Sequence, residues 1–153
     1  MEKNQKELTT FQIEKRLYIK RNRQKEWVPK YLEPSTSVDV DVPGSKNTHD
    51  RLSLCRMLLF EAFLKRGFSR KEAGERVAQL KPFWLRVHKI ELKDIAFVVL
   101  ITGKTESPDL ITARDYDELI SDVKHFKPIE RGNDIVVINF KRILKAVDGA
   151  LVE

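Results

Sequence analysis

The stretch Asp50–Arg66 allows few architectures. Leu52, Cys55, Leu59 and Phe63 recur at helical spacing along one face, and Leu54, Met57, Leu58, Phe60 and Leu64 widen the apolar stripe well past it. Thr48 or Asp50 is placed to cap the start of this helix. Lys65 and Arg66 suit its negative end, and Gly67 supplies the left-handed stop that glycine tolerates. A helix apolar over so much of its circumference must be covered on more than one side. Asp50–Arg66 is therefore expected to be the central core helix.

Beyond Gly67 the chain is laid out as two shorter helices. Ser69 and Glu72 have capping-box spacing, and Phe68 is positioned as a hydrophobic staple on Ala73. A helix from Arg70 is interrupted at Leu80-Lys81-Pro82. Pro82 suits the first position of the next helix, which carries Trp84, Arg86, Val87, His88 and Lys89. Long helix, short helix, tight turn and basic third helix together resemble the helix-turn-helix family of DNA readers. Gly74 stands at the small position of the positioning helix, Val77 at its apolar position, and Trp84 and Val87 at the inward positions of the reader. Ala78 stands in the turn, where glycine is usual.

The flanking order narrows the resemblance. A long helix ending in Gly67-Phe-Ser-Arg-Lys-Glu-Ala73, then the reader, then Glu91-Leu-Lys-Asp94, a segment closed by Gly103, and Glu106-Ser-Pro-Asp-Leu110 is similar to the DNA-binding region of partition proteins of the ParB type. Residues 1–47 hold no arginine-rich nucleotide-binding box of that family, so the resemblance implies nothing about nucleotide hydrolysis. It does imply that residues 69–91 enter the major groove of double-stranded DNA. Arg70 and Lys71 would meet phosphates, Lys81, Arg86 and Lys89 would contact bases or phosphates, and Phe83 or Leu85 would suit a thymine methyl group or burial.

Charge points the same way. The net charge of +6 is uneven: residues 1–30 hold nine Lys/Arg against four Asp/Glu, and residues 46–93 twelve against five. Residues 94–153 hold eight against eleven, so the positive charge coincides with the N-terminal segment and the proposed reader. A polyanion partner is one account, and simple solubility of a small basic domain is the other.

Residues 1–27 are expected to be a basic N-terminal arm or helix. Leu8, Phe11 and Tyr18 share a thin stripe interrupted by Lys15, and Tyr18 and Trp27 offer flat surfaces. Residues 28–47, with Pro29, Pro34 and Pro43-Gly44, read as a linker; Val38, Val40 and Val42 alternate with Asp39 and Asp41 as one solvated strand edge. Ile95–Gly103 is rich in strand formers but is bounded by Asp94 and Gly103, a cap and a stop. It is read as a helix because no partner strand lies within hairpin distance. Ser107-Pro108 is expected to open a helix to about Lys124, with Leu110, Ile111, Tyr116, Leu119, Ile120 and Val123 inward. Phe126–Ile129 and Ile135–Phe140 read as a β-hairpin with Arg131 at its tip, a wing beside DNA or a lid or dimer edge. Phe140–Val152 reads as a terminal helix.

The architecture expected is mainly α: a helical domain over 48–153 with a helix-turn-helix core, a small C-terminal hairpin and a terminal helix. No metal, cofactor or catalytic set emerges. His49, His88 and His125 lack ligand spacing, Cys55 lies on the apolar helix, and Gly103-Lys104-Thr105 lacks the earlier glycine of a phosphate loop. The longest apolar run, Ile95–Ile101, falls far short of the roughly 18 residues that span a bilayer. Without an apolar signal region after Met1, a cytoplasmic location is expected. The function expected is non-enzymatic DNA binding of regulatory or partition type, possible partners besides DNA being a second copy of the chain or another protein. The alternative is an adaptor or inhibitor that meets an acidic protein through the basic helical face.

Overall fold

The computed structural model describes residues 6–32, 48–102, 109–115, 117–121 and 134–152. It is mostly helical, with two small antiparallel sheets and a C-terminal strand joined to a helix. Two compact units divide the chain, Met1–Ala78 with Ile143–Glu153, and Gln79–Arg142.

The first unit is built on the expected core helix. Strands β1 (Glu7–Thr9) and β2 (Thr48–Asp50) pair antiparallel, with Leu8 opposite His49. Helix α1 (Thr10–Leu17) comes directly after β1, and helix α2 (Arg21–Trp27) after α1. Helix α3 (Arg51–Lys65) continues from β2; the Asp50 carboxylate caps it by accepting the Ser53 N–H at 2.9 Å. Leu54, Cys55, Met57, Leu59, Phe60 and Phe63 of the wide stripe are buried along α3, and Arg56, outside that stripe, is buried with them. Trp27 and Tyr31 both lie against Phe60, with ring centroids 5.0 and 5.7 Å away.

Gly67 stops α3 as anticipated, at φ +90°. The Gly67 N–H donates to the Leu64 carbonyl and the Phe68 N–H to the Phe63 carbonyl, the pair of reverse bonds that defines a Schellman ending. The accompanying apolar contact is Phe68 edge-on to Phe63, ring centroids 5.4 Å apart. Helix α4 (Arg70–Val77) then starts from Ser69, whose hydroxyl accepts the Glu72 N–H. Only this half of the expected capping box is formed. The full box sits at Thr9 and Gln12, where side chain and backbone bond in both directions.

Residues 7–32 differ from the expected arm and linker. Leu8, Ile13, Ile19, Trp27, Val28 and Leu32 are buried, whereas Phe11 and Tyr18 of the proposed stripe face solvent. The inward face of α1 is thus the one carrying Ile13. Gln24, also buried, joins the two helices by donating from Nε2 to the carbonyls of Thr10 (3.0 Å) and Ile19 (2.8 Å). The rest of the proposed linker, residues 33–47, lies outside the described residues.

In the second unit a 3-10 turn (Ala78–Leu80) that opens in the first leads to helix α5 (Pro82–Val87), and a further 3-10 turn (Leu92–Asp94) leads to a three-stranded sheet. The sheet corrects two expectations. Phe97–Thr102 is strand β3, not a helix, and Asp109–Ala113 is strand β4 where a helix was expected to have begun. A partner strand does lie within hairpin distance: β3 pairs antiparallel with β4, Phe97 opposite Ala113. It pairs on its other side with β5 (Asp134–Asn139). A strand flanked on both edges and covered on both faces reads as a continuous apolar run, which periodicity cannot tell from a buried helix. Val99, Ala113 and Leu119 form a small core against Phe97 and Ile135. Leu119 comes from helix α6, described over residues 117–121, within the span of the helix expected to about Lys124. The expected strand over 135–140 is present as β5 but pairs with β3; its proposed mate 126–129 and Arg131 lie outside the described residues.

Helix α7 (Phe140–Ala150) matches the expected terminal helix. Within the first unit its Asp148 forms a two-point ion pair with Arg51, 2.7 and 3.0 Å, and its Ala150 carbonyl accepts from Arg16. Both partners of the ion pair are about half exposed, so it orients the helix and stabilises by no more than about 1 kcal/mol. Leu144, Val147 and Leu151 supply the buried side.

Two stability measurements test this packing. Leu59→Ala should destabilise the fold by about 2–5 kcal/mol in chemical denaturation, because Leu59 is fully buried on α3. The second concerns His49, whose two ring nitrogens find no hydrogen-bond partner among the described residues. Burial pushes its imidazole down from 6.5 to about 4, against the opposing pull of Asp50 and Glu7 and with Arg56 assisting. The unfolded chain therefore binds a proton that the folded chain refuses. Stability should be full above pH 6.5 and decline as pH falls towards 4, by up to roughly 3 kcal/mol. His49→Gln should flatten that limb of a stability–pH curve; an unchanged slope would refute the assignment.

Candidate functional site

The six residues singled out from the sequence fall in two places. Arg70 and Lys71 open α4 in the first unit, while Lys81, Phe83, Arg86 and Lys89 surround α5 in the second.

Around α4 the local design is a capped start and a close packing contact. Gly74 is buried, and a Cβ added to it would stand 3.2 Å from two atoms of the Tyr31 side chain. A side chain at this position would press on Tyr31, which would have to give by a few tenths of an ångström. Val77 is fully buried, as its place in the motif implies. Ala78, in the turn, has φ −58° and continues into a 3-10 turn, so this turn proceeds without the positive φ that would favour glycine. Lys71 is exposed. Arg70 is ion-paired with Glu26, and both flank a cleft of about 370 Å³ also lined by Arg23, Trp27, Glu61, Leu64 and Lys65. Glu61 takes Arg23 at 3.9 Å and Lys65 at 3.3 Å, so two carboxylates answer three cations there. Much of the Arg70 charge is thus met inside the chain. That pairing has no local signal, because Glu26 is remote from Arg70 in sequence.

Around α5 the side chains are open. The helix has no buried residue; Pro82 occupies its first turn, as expected, and Lys81 stands at the cap position without a side-chain capping bond. Phe83 is 68% exposed and Arg86 is exposed one turn further on, so the two share a face. Among the described residues Arg86 has no ion-pair partner. Trp84 and Leu85 are half-buried, and Trp84 rests against His88 at 4.6 Å. Val87 corrects the motif. Expected inward, it is 57% exposed and lies one turn from Phe83. The reader is also shorter than expected, since α5 ends at Val87 and Lys89 has φ 54°. Lys89 N–H donates to the Arg86 carbonyl and Ile90 N–H to that of Leu85, a second Schellman ending, here with lysine where glycine is usual.

Burial pushes the Cys55 thiol up to about 12, which keeps it protonated and unreactive. Among the described residues no group of three or more His, Cys, Asp or Glu side chains could hold a metal ion. Among them also, no helix is long and apolar enough to cross a membrane.

The left-handed Lys89 yields a direct test. Lys89→Gly should raise the thermal midpoint, with a gain of up to about 1 kcal/mol, because glycine adopts this conformation without the clash of a Cβ. Trp27, expected as an open flat surface, is buried instead, and the aromatic rings that face solvent in this part of the chain are Phe11 and Tyr18. No protein-family model and no curated protein matches this chain.

Proposed function

We propose that this chain is a non-enzymatic, cytoplasmic DNA-binding protein of regulatory or partition type, reading duplex DNA through a helix-turn-helix over residues 69–91. The observation that carries the reading is the openness of α5: a proline-started helix with no buried residue, presenting Lys81, Phe83, Arg86 and Lys89 to solvent. Arg86 is a planar donor fork able to take the O6 and N7 edge of guanine, and Phe83 beside it suits a thymine methyl. Lys81, Lys89 and Lys71 supply phosphate contacts that set orientation. Arg70 contributes less than its place in the motif implies, because Glu26 already meets its charge.

A second reading, an adaptor for an acidic protein, is favoured by one observation. Phe83 and Val87 expose an apolar pair one turn apart, flanked by Lys81 and Arg86. Such a pair anchors a protein partner as readily as a base edge.

A salt titration on duplex DNA with three variants separates them. Arg86→Ala should leave the thermal midpoint nearly unchanged, within about 0.5 kcal/mol, and cost about 1–3 kcal/mol on a preferred sequence but much less on random duplex. Lys81→Ala should weaken both duplexes alike and reduce the salt slope by about one unit. Val87→Ala should leave DNA affinity nearly intact. Failure of the chain to bind any duplex at low salt sinks the DNA reading and leaves the adaptor.

A further inference from the structure

From the outer face of α1 in the first unit, we infer a second nucleic-acid site, a stacking platform for single-stranded nucleic acid formed by Phe11 and Tyr18 with Lys15 between them. Phe11 is 57% exposed and Tyr18 is 84% exposed. Phe11 and Lys15 lie one turn apart on α1, and Tyr18 follows directly as the residue that caps its C-terminal end.

Internal packing accounts for neither ring. The inward side of α1 is made by the buried Ile13, with Leu17 half-buried, and the rings point away from it. Tyr18 also holds φ 61° at the end of α1, a left-handed conformation that costs a bulky residue energy and that glycine would adopt freely. An exposed aromatic ring kept in a strained position, with no packing to offset the strain, points to a use outside the chain.

Charge selects the occupant. Arg16 is occupied by the Ala150 carbonyl, Arg21 by Glu14 and Arg23 by Glu61. Lys15, Lys20 and Lys25 remain exposed, without an ion-pair partner among the described residues. Lys15 therefore sets a free cation between the two rings in sequence, Lys20 and Lys25 add more on the next helix, and among the described residues α1 exposes no aliphatic side chain of the kind that lines a groove for a partner helix. Unpaired bases offer the flat faces such rings stack on, and the phosphates between them meet the lysines; a duplex keeps its bases stacked and out of reach.

The site is independent of α5, and the experiment treats it so. Fluorescence anisotropy of the full chain should show a labelled oligothymidine of about twenty nucleotides binding at low salt. Tyr18→Gly and Phe11→Ala should each weaken it by about 5- to 150-fold, the effect of losing one base stack. Tyr18→Gly should meanwhile keep or raise the thermal midpoint, which excludes misfolding as the cause, and should leave duplex affinity unchanged. Arg86→Ala should do the reverse. Oligothymidine binding equal in Tyr18→Gly and the parent chain overturns the inference. So does equal affinity for an abasic strand of the same length, which reduces the face to a phosphate contact. Polyglutamate competing as well as oligothymidine, with the same dependence on Tyr18, would reassign the face to an acidic protein.

Discussion

Everything in the first unit depends on covering α3. Its fully buried Phe60, Phe63, Leu59 and Met57 are each worth about 1.5–3 kcal/mol when removed from water, and no single neighbour could shield them all. Trp27 and Tyr31 close over Phe60, and Phe68 closes over Phe63. Trp27 ties α2 to α3 in this way. At eight and seven residues α1 and α2 are too short to be stable alone, since an isolated helix below about 12 residues is marginal in water. They are held by what they bury, and Gln24 fastens them by filling the backbone acceptors of Thr10 and Ile19.

The same close packing places polar groups where water cannot reach them. Gln24 satisfies its amide nitrogen twice. His49 does not: it lies opposite Leu8 in the β1–β2 pair, and the chain keeps it neutral. A buried imidazole between Asp50, Glu7 and Arg56 ties the stability of this corner to pH, whereas Cys55, one helical turn into α3, stays a protonated small apolar residue throughout.

What the sequence made legible was local. Gly67 as a left-handed stop, Ser69 as a cap, Pro82 in a first turn and the wide stripe of α3 are written in adjacent residues, and each appears in the structure. What it concealed was decided at a distance. Whether Phe97–Thr102 is helix or strand turns on its two partners, β4 across a short connection, which was itself read as the start of a helix, and β5, more than thirty residues on. Which stripe of α1 faces inward turns on the core it meets, so the three-residue pattern Leu8, Phe11, Tyr18 misled while Ile13 was buried. In the candidate site the exposure of Arg86 followed from its place on the reader, whereas Phe83 was left open between a methyl contact and burial. Val87, one turn on and in the same phase as Phe83, was assigned inward by the motif and is exposed with it. The Arg70–Glu26 pair, which joins two helices remote in sequence, was not legible either.

Three residues with described backbone take positive φ, and their side chains tell them apart. Gly67 does so with the residue that makes it easy, in a helix ending the fold requires. Tyr18 and Lys89 do so with residues that make it costly, by roughly 1–2 kcal/mol each. Neither side chain has a hydrogen-bond or ion-pair partner among the described residues: Tyr18 is among the most exposed large side chains, and Lys89 is exposed beside α5. A glycine at either place would give the same turn with less strain, as the chain itself shows at Gly67. The strain is therefore not offset by packing, and what distinguishes the two positions from Gly67 is the group each displays, an aromatic ring in one case and an ammonium in the other. Those are the two chemistries, stacking and phosphate contact, by which a protein holds a nucleic-acid strand.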